Sequence, residues 1–113
     1  MRIAITGANS SVGKALITRV LTQAVDGLEI RAGVRTRQAA EALPTNPAVM
    51  PTVIDYADLY SLGSLLEGVN SLVHLAGILI ENKDSTYQTA NVRVTQMVME
   101  ACQASSVDHI VLI

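Results

Sequence analysis

Short apolar segments that favour β-strands alternate along the whole chain with segments of helical periodicity. The strands are expected at 3–5, 28–34, 53–54, 72–75 and 109–113, and the helices at 12–20, 37–43, 59–67 and 87–104. Pro47 and Pro51 predict an irregular connection before the third strand. Nearly continuous apolar strands between helices are typical of a parallel sheet covered on both faces. With right-handed crossovers, this pattern predicts an α/β, doubly wound parallel sheet in three layers, with strand order 3-2-1-4-5 and residues 1–113 in one domain.

The composition narrows the classes of partner. Half of the 113 residues are hydrophobic, yet no apolar run reaches the roughly 18 residues that a membrane-spanning helix needs. The net charge is −2 and the basic residues form no cluster, so nucleic acid is not expected as a partner. Cys102 is the only cysteine in the sequence, and we expect it to pack in the core rather than bind a metal. The chain begins with a strand rather than a charged leader, so a cytoplasmic location is expected.

A glycine-rich segment, TGANSSVG, occupies residues 6–13 between the first strand and the first helix. A parallel sheet places its ligand crevice at such a connection. Gly7 is expected to turn sharply, and Gly13 to let the helix lie close to the sheet. Free backbone N–H groups and the helix dipole then predict a Rossmann-type pyrophosphate site formed by Gly7, Asn9, Ser10, Ser11, Val12 and Gly13. The alternative is a turn of small residues that only joins strand to helix.

A glycine expected in the middle of this motif is replaced by Ser10 or Ser11, depending on how the pattern is aligned. A serine Cβ occupies space, but serine keeps its backbone donor and adds a hydroxyl that can reach a phosphate. The hypothesis is that nucleotide binding is retained, at some cost in affinity. A P-loop is excluded because Lys14 is followed by Ala15 rather than by Ser or Thr.

The segment after the second strand predicts which nucleotide binds. A site that prefers NAD carries an acidic residue there, which accepts a hydrogen bond from the ribose 2′-hydroxyl. This chain has Gly33, Val34 and Arg35 instead. Arg35 and the nearby Arg37 can bind the 2′-phosphate of NADP, so NADP is favoured over NAD. The alternative is that both arginines are solvated residues at the end of a strand.

Asp55 follows the third strand directly, with Tyr56 beside it, and both are predicted to be cofactor-binding residues. At this position the carboxylate is expected to accept a hydrogen bond from the adenine amino group. The alternative is a solvated carboxylate in a turn.

Four segments of the chain, taken together and in their order, resemble the extended and atypical types of the short-chain dehydrogenase/reductase superfamily. The resemblance is to NAD-dependent epimerase/dehydratase-like proteins. The four segments are TGANSSVG at 6–13, Asp55, HLAG at 74–77 and NVRVTQMVMEAC at 91–102. The resemblance implies that Leu75, Ala76 and Gly77 lie against the cofactor ribose and that Asn91 ties its helix to the site. It implies a structural rather than catalytic role for His74. Val94 replaces a glycine of the family pattern, which predicts tighter packing.

Catalysis in this superfamily uses a Ser or Thr after the fifth strand and a Tyr and a Lys at YxxxK spacing. Tyr56, Tyr60 and Tyr87 are not followed by Lys at that spacing, so no catalytic residue is predicted in this chain, and a fragment of a longer protein is expected. The resemblance implies an NADP-dependent oxidoreductase or a sugar-nucleotide epimerase or reductase that acts on a small-molecule substrate.

The segments HLAGILIE at 74–81 and TYQTANVRVT at 86–95 are similar to the group that includes the accessory Rossmann subunit of respiratory complex I. This narrower similarity implies the alternative, a non-catalytic NADP-binding regulatory or assembly protein. A third alternative is a structural module whose loop binds no nucleotide. The unpaired edge of the fifth strand predicts self-association into a homo-oligomer.

Overall fold

The computed structural model describes residues 1–23, 25–75 and 87–113, with only the backbone described for 87–91. Its elements are β1 (Arg2–Thr6), α1 (Ser11–Thr22), β2 (Glu29–Val34), α2 (Arg37–Glu41), β3 (Val49–Val53), α3 (Leu59–Leu66), β4 (Ser71–His74), α4 (Tyr87–Gln103) and β5 (His109–Leu112). Within these ranges, no helix has the length and apolar character needed to cross a bilayer.

The five strands form one parallel sheet in the order β3-β2-β1-β4-β5, which confirms the predicted topology. β1 lies in the centre, where Thr6 is in register with Gly33 of β2 and with His74 of β4. The crossover from β1 leads to β2 on one side of β1, whereas the crossover from β3 leads to β4 on its other side, so the strand order reverses at β1. The carboxyl ends of β1, β2 and β4 therefore border the crevice in which sheets of this kind bind ligands.

The third strand differs from the prediction. β3 begins at Val49 and includes Pro51, which we expected to keep the connection irregular, and Ile54 lies just beyond its end. Pro51 is tolerated because β3 is at the edge of the sheet and pairs only with β2. The missing N–H of proline therefore costs no hydrogen bond between the strands. Ile54 still donates its N–H to the carbonyl of Val34 at 2.8 Å, which extends the β2 contact by one residue.

Apolar side chains pack on both faces of the sheet. One cluster lies under α1 and α2 and is built around Ile5, Ile17 and Ile30, all of which are almost completely buried. The other lies under α3 and α4, where Leu62 and Leu65 meet Val98. This arrangement confirms the three-layer architecture. Val94, at the glycine position of the family pattern, and Cys102, which is buried and free, both belong to the second cluster, as expected.

Each helix with a described N-terminus begins at a polar cap. The side chains of Ser10, Thr36 and Asp58 accept backbone N–H groups at the starts of α1, α2 and α3. Such caps satisfy donors that have no partner within the helix. α3 is followed by Gly68 at a φ of 70°, the left-handed conformation in which glycine commonly follows a helix.

Candidate functional site

The glycine-rich loop leaves β1 through a tight turn. Gly7 has a φ of 64°, a conformation that side chains with a Cβ rarely adopt, and its carbonyl accepts the N–H of Ser10 at 3.1 Å. The loop is also bound to the neighbouring strand, because Ala8 donates its N–H to the carbonyl of Gly33 at 3.1 Å. These bonds hold the loop over the carboxyl ends of β1 and β2, as predicted for Gly7.

Gly13 lies in the first turn of α1, where a side chain would meet the backbone of the loop. A Cβ at Gly13 would lie 2.5 Å from the carbonyl oxygen of Ala8 and 2.8 Å from its Cα. The three atoms nearest to this Cβ all belong to the Ala8 backbone, so the first turn of α1 lies close against its own loop. Ala8 is completely buried, so the loop has little room to retreat.

The first turn of α1 presents backbone donors. The Oγ of Ser10 accepts the N–H of Gly13 at 3.0 Å, and Ser10 has an extended backbone that does not need glycine. Because this oxygen acts as the acceptor, the hydroxyl proton remains available to a phosphate. In the part of the chain that the structure describes, no acceptor pairs with the N–H groups of Asn9, Ser11 and Val12. Together with the helix dipole, these donors suit an anion.

A cleft of about 360 Å³ lies beside this loop and brings together residues from four segments. Six of the predicted binding residues line it: Gly7, Asn9, Ser10, Arg35, Tyr56 and Leu75. Ser11, Val12, Gly13 and Asp55 are not among the lining residues. Three lining residues were not predicted as binding residues: Val34, Thr36 and Ala39.

Of these three, Thr36 carried a signal in the sequence. It stands directly before the predicted helix at Arg37, the usual position of a helix cap. Its Oγ1 accepts the N–H of Ala39 at 3.0 Å. As with Ser10, the hydroxyl proton remains able to donate to a ligand. Val34 and Ala39 carried no such signal, because small and branched apolar residues at these positions are equally typical of ordinary packing.

Arg35 lies beside a tyrosine that lines the same cleft. The guanidinium carbon of Arg35 lies 5.0 Å from the centroid of the Tyr56 ring, within the range of a cation–π contact. Tyr56 is 8% exposed, and this burial raises the pKa of its hydroxyl to about 12, against the opposing effects of Arg35, the Thr6 side chain and the Gly7 backbone. Tyr56 is therefore a neutral, buried side chain at neutral pH.

Asp55 is engaged in a turn. Its Oδ1 accepts the N–H of Ala57 at 2.9 Å, and its own N–H donates to the Oγ of Ser61 at 3.0 Å. This geometry agrees with the alternative of a turn carboxylate. The contact with an adenine amino group stays a prediction, which the second carboxylate oxygen would have to provide.

His74 joins two elements beneath the site. It is 3% exposed, with Nδ1 at 2.7 Å from the Oγ1 of Thr6 and Nε2 at 3.2 Å from the Oγ1 of Thr95 in α4. Burial lowers its pKa, so the ring is neutral at neutral pH. The same Thr6 oxygen accepts the N–H of Leu75 at 3.0 Å, which places Leu75 at the cleft. These contacts support the structural role expected for His74.

The remaining predicted site residues cannot be compared with the structure. Ala76 and Gly77 lie outside the described residues, and so does the side chain of Asn91, whose backbone belongs to α4. Among the residues that are described, no group of three or more His, Cys, Asp or Glu side chains is arranged to hold a metal ion.

The sheet order, the glycine turn, the unpaired donors and the arginine beside them define a Rossmann domain for binding a dinucleotide. Residues 7–113 match the family described as NAD(P)H-binding, and the chain belongs to that family. Solved structures that share its fold include a dehydratase and an epimerase, each 22% identical in sequence to this chain. The chain is thus an NAD(P)-binding domain. No curated protein matches it in sequence.

Three solved structures illustrate this likeness. A dTDP-glucose 4,6-dehydratase from Streptomyces venezuelae, solved with NAD bound, has 22% identity and a TM-score of 0.79 over 97% of this chain. A nucleoside-diphosphate-sugar epimerase from Staphylococcus aureus has 22% identity and a TM-score of 0.74 over 99% of this chain. An NADPH-dependent quinone oxidoreductase from Escherichia coli has 28% identity and a TM-score of 0.71 over 97% of this chain. The present chain spans 38%, 37% and 34% of their respective lengths.

Proposed function

We propose that this chain binds NADP(H) in preference to NAD(H), with Arg35 in contact with the 2′-phosphate. The observation that carries the proposal is the position of Arg35, which lines the same cleft as Gly7 and Ser10 of the loop. A dinucleotide whose pyrophosphate lies on the loop would extend its adenosine ribose toward the end of β2. That is where Arg35 and Thr36 stand.

The charges and donors of the cleft suit a phosphate better than a hydroxyl pair. Discrimination for NAD uses a carboxylate that accepts from the ribose hydroxyls, and no described residue lining the cleft is acidic. An arginine binds a phosphate through two parallel hydrogen bonds, and the Thr36 hydroxyl can add a third. In the described part of the chain, Arg35 forms no ion pair with a carboxylate that a phosphate would have to displace.

The test is calorimetric titration of the chain with NADPH and with NADH. A hydrogen bond to a charged group contributes about 1.5–3 kcal/mol, so Arg35→Ala is expected to weaken NADPH binding about tenfold or more. Its effect on NADH should stay within about twofold. Arg19→Ala, which removes the same charge from the last turn of α1, away from the cleft, is the matched control.

Each outcome of this titration has a clear meaning. A preference for NADPH that disappears in Arg35→Ala and persists in Arg19→Ala supports the proposal. Tighter binding of NADH contradicts the NADP assignment while leaving the NAD(P)-binding domain intact. Failure of both nucleotides to bind contradicts the proposed function as a whole.

For the activity of the whole protein, we propose an NADP-dependent oxidoreductase or a sugar-nucleotide epimerase or reductase with a small-molecule substrate. The structural neighbours, which include an epimerase and a quinone oxidoreductase, support this class. The second candidate is a non-catalytic NADP-binding regulatory or assembly protein. It rests on the similarity of residues 74–81 and 86–95 to the group that includes the accessory Rossmann subunit of respiratory complex I. Oxidation of NADPH with 1,4-benzoquinone, or epimerisation of a nucleotide sugar, would decide for the enzyme.

We also propose that copies of this chain associate through β5. In the described structure β5 pairs only with β4, and its Ile110, Val111 and Leu112 side chains are 41%, 50% and 57% exposed. An edge strand with exposed apolar side chains favours pairing with another chain. Light scattering should show a dimer or larger species that Val111→Lys disperses, and a monomer at high protein concentration would count against this proposal. The cytoplasmic location stays a prediction from the sequence.

A further inference from the structure

The partner of Arg35 in the cleft is an aromatic ring rather than a carboxylate. Within the described residues, Arg2 and Glu29 form the one salt bridge, at the amino ends of β1 and β2 and thus at the opposite end of these strands from the cleft. The Arg35 guanidinium instead lies 5.0 Å from the centroid of the Tyr56 ring. Arg37 is also exposed and close in sequence, but it has no such ring beside it in the described structure. Tyr56 therefore sets Arg35, the arginine predicted to bind the cofactor, apart from the nearby Arg37.

Tyr56 is itself held from two directions. Its ring is 8% exposed and belongs to the apolar cluster under α3, together with Ile54 and Leu62. Its hydroxyl interacts with the side chain of Thr6 and the backbone of Gly7. One side chain thus contacts the start of the glycine-rich loop and the arginine that follows β2. A ring fixed in this way is a rigid surface for Arg35.

A long arginine side chain in solvent occupies many rotamers, and binding a phosphate through one of them costs conformational entropy. A ring that attracts the guanidinium into the cleft reduces this cost before the ligand arrives. It does so without neutralising the charge, which a carboxylate partner would do. The effect should apply only to a ligand that contacts Arg35.

We propose that Tyr56 is a positioning residue that sets the preference of the cleft for a 2′-phosphate by holding Arg35 in place. The proposal rests on the proposed function of Arg35 and adds a residue that need not touch the ligand. It gives a reason, beyond packing, for an aromatic residue directly after Asp55. An aliphatic residue of similar size would fill the same core space but would leave Arg35 unrestrained.

The experiment compares Tyr56→Leu, which removes the ring, with Tyr56→Phe, which keeps the ring and removes the hydroxyl. The probes are adenosine 2′,5′-bisphosphate and 5′-AMP, which differ only in the 2′-phosphate, followed by NADPH and NADH. Loss of a cation–π contact corresponds to a decrease of about threefold to fivefold in affinity. Tyr56→Leu should show this decrease for the two ligands with a 2′-phosphate and a change within about twofold for the others. Tyr56→Phe should keep the wild-type preference.

Two further variants separate positioning from packing. Tyr60→Leu removes a tyrosine that is 84% exposed on α3 and outside the cleft, and it should not change the ratio of the two affinities. In an Arg35→Ala background, Tyr56→Leu should cause no further loss of preference, because the residue through which it acts is already gone. Equal weakening of both ligands by Tyr56→Leu would show that the residue only maintains the structure.

The outcomes distinguish this proposal from the one on which it rests. If the wild-type chain prefers NADPH through Arg35 and Tyr56→Leu keeps that preference, the role of Tyr56 is refuted and the proposed function stands. If the wild-type chain binds neither nucleotide, the proposed function fails. Should Tyr56→Leu not fold, as judged by circular dichroism, Tyr56→Met replaces it, because an unbranched side chain adapts to irregular core space. The same criteria then apply.

Discussion

Replacing Gly13 by alanine tests the packing of the loop against the first turn of α1. The new Cβ would lie 2.5 Å from the Ala8 carbonyl oxygen, whereas ordinary contacts begin at 3.4 Å. The loop and the helix would therefore have to separate by about 0.9 Å, the difference between these two distances. The obstacle is backbone rather than the end of a flexible side chain, and the N–H of Ala8 is bonded to Gly33. The strain therefore cannot be relieved by a rotamer change.

The expected magnitude follows from two opposing effects. Overpacking of this kind costs typically 1–3 kcal/mol. Alanine in place of glycine within a helix contributes about 1 kcal/mol in the opposite direction. Because Ala8 is completely buried, the cost should lie in the upper part of its range. We expect Gly13→Ala to lower the free energy of unfolding by about 1–2 kcal/mol.

Gly63 supplies the matched control. It lies in the middle of α3, and no atom is within 4 Å of the Cβ that an alanine would add. Gly63→Ala should therefore raise the free energy of unfolding by about 0.5–1 kcal/mol. Urea unfolding followed by circular dichroism measures both variants. A Gly13→Ala protein as stable as the wild type, measured beside a stabilised Gly63→Ala protein, would refute the reasoning about the loop.

Three further predictions concern the cap and the two buried titratable groups. Ser10→Ala should lower the free energy of unfolding by about 1 kcal/mol and Ser10→Gly by a few tenths, since glycine is a tolerated cap; equal losses in urea unfolding would contradict the capping role. Burial lowers the pKa of His74, so stability should be fully present above pH 6.5 and fall as the pH decreases below it, because the unfolded state binds the proton first. His74→Gln should flatten this part of the profile, whereas replacing the exposed His109 should not. Burial raises the pKa of Tyr56 to about 12, so stability should fall as the pH rises above 10. In a pH titration of the folded chain followed by tyrosinate absorbance, the step at the highest pH should be absent from Tyr56→Phe.

Much of the candidate site could be predicted because its signals are local in the sequence. The short connection between β1 and α1 requires a sharp turn, which was predicted at Gly7, and the φ of 64° at Gly7 confirms that prediction. Arg35 could be predicted to lie near the loop because the end of β2 is a fixed distance along the chain from it. Arg35 and the loop do line one cleft. Thr36 was missed although its position before a helix is a local signal for a cap.

Other features could not be predicted because they depend on contacts between distant segments. The requirement for Gly13 comes from the Ala8 backbone, and only the actual path of the loop shows which atoms approach. Pro51 within β3 contradicted the expected irregular connection, since proline is acceptable only on the free side of an edge strand.

By itself, the sequence determined the alternation of strands and helices, the sheet order that right-handed crossovers impose, and the class of ligand that a glycine-rich strand–helix turn binds. Hydrophobic periodicity and turn-forming residues are properties of neighbouring positions in the chain, so they can be recognised from the sequence alone. Only the tertiary structure shows that an aromatic ring lies beside Arg35. Tyr56 lies 21 residues from Arg35 in the sequence, the difference of their numbers, and 5.0 Å separate the guanidinium from the ring only because β2 and β3 pair in register.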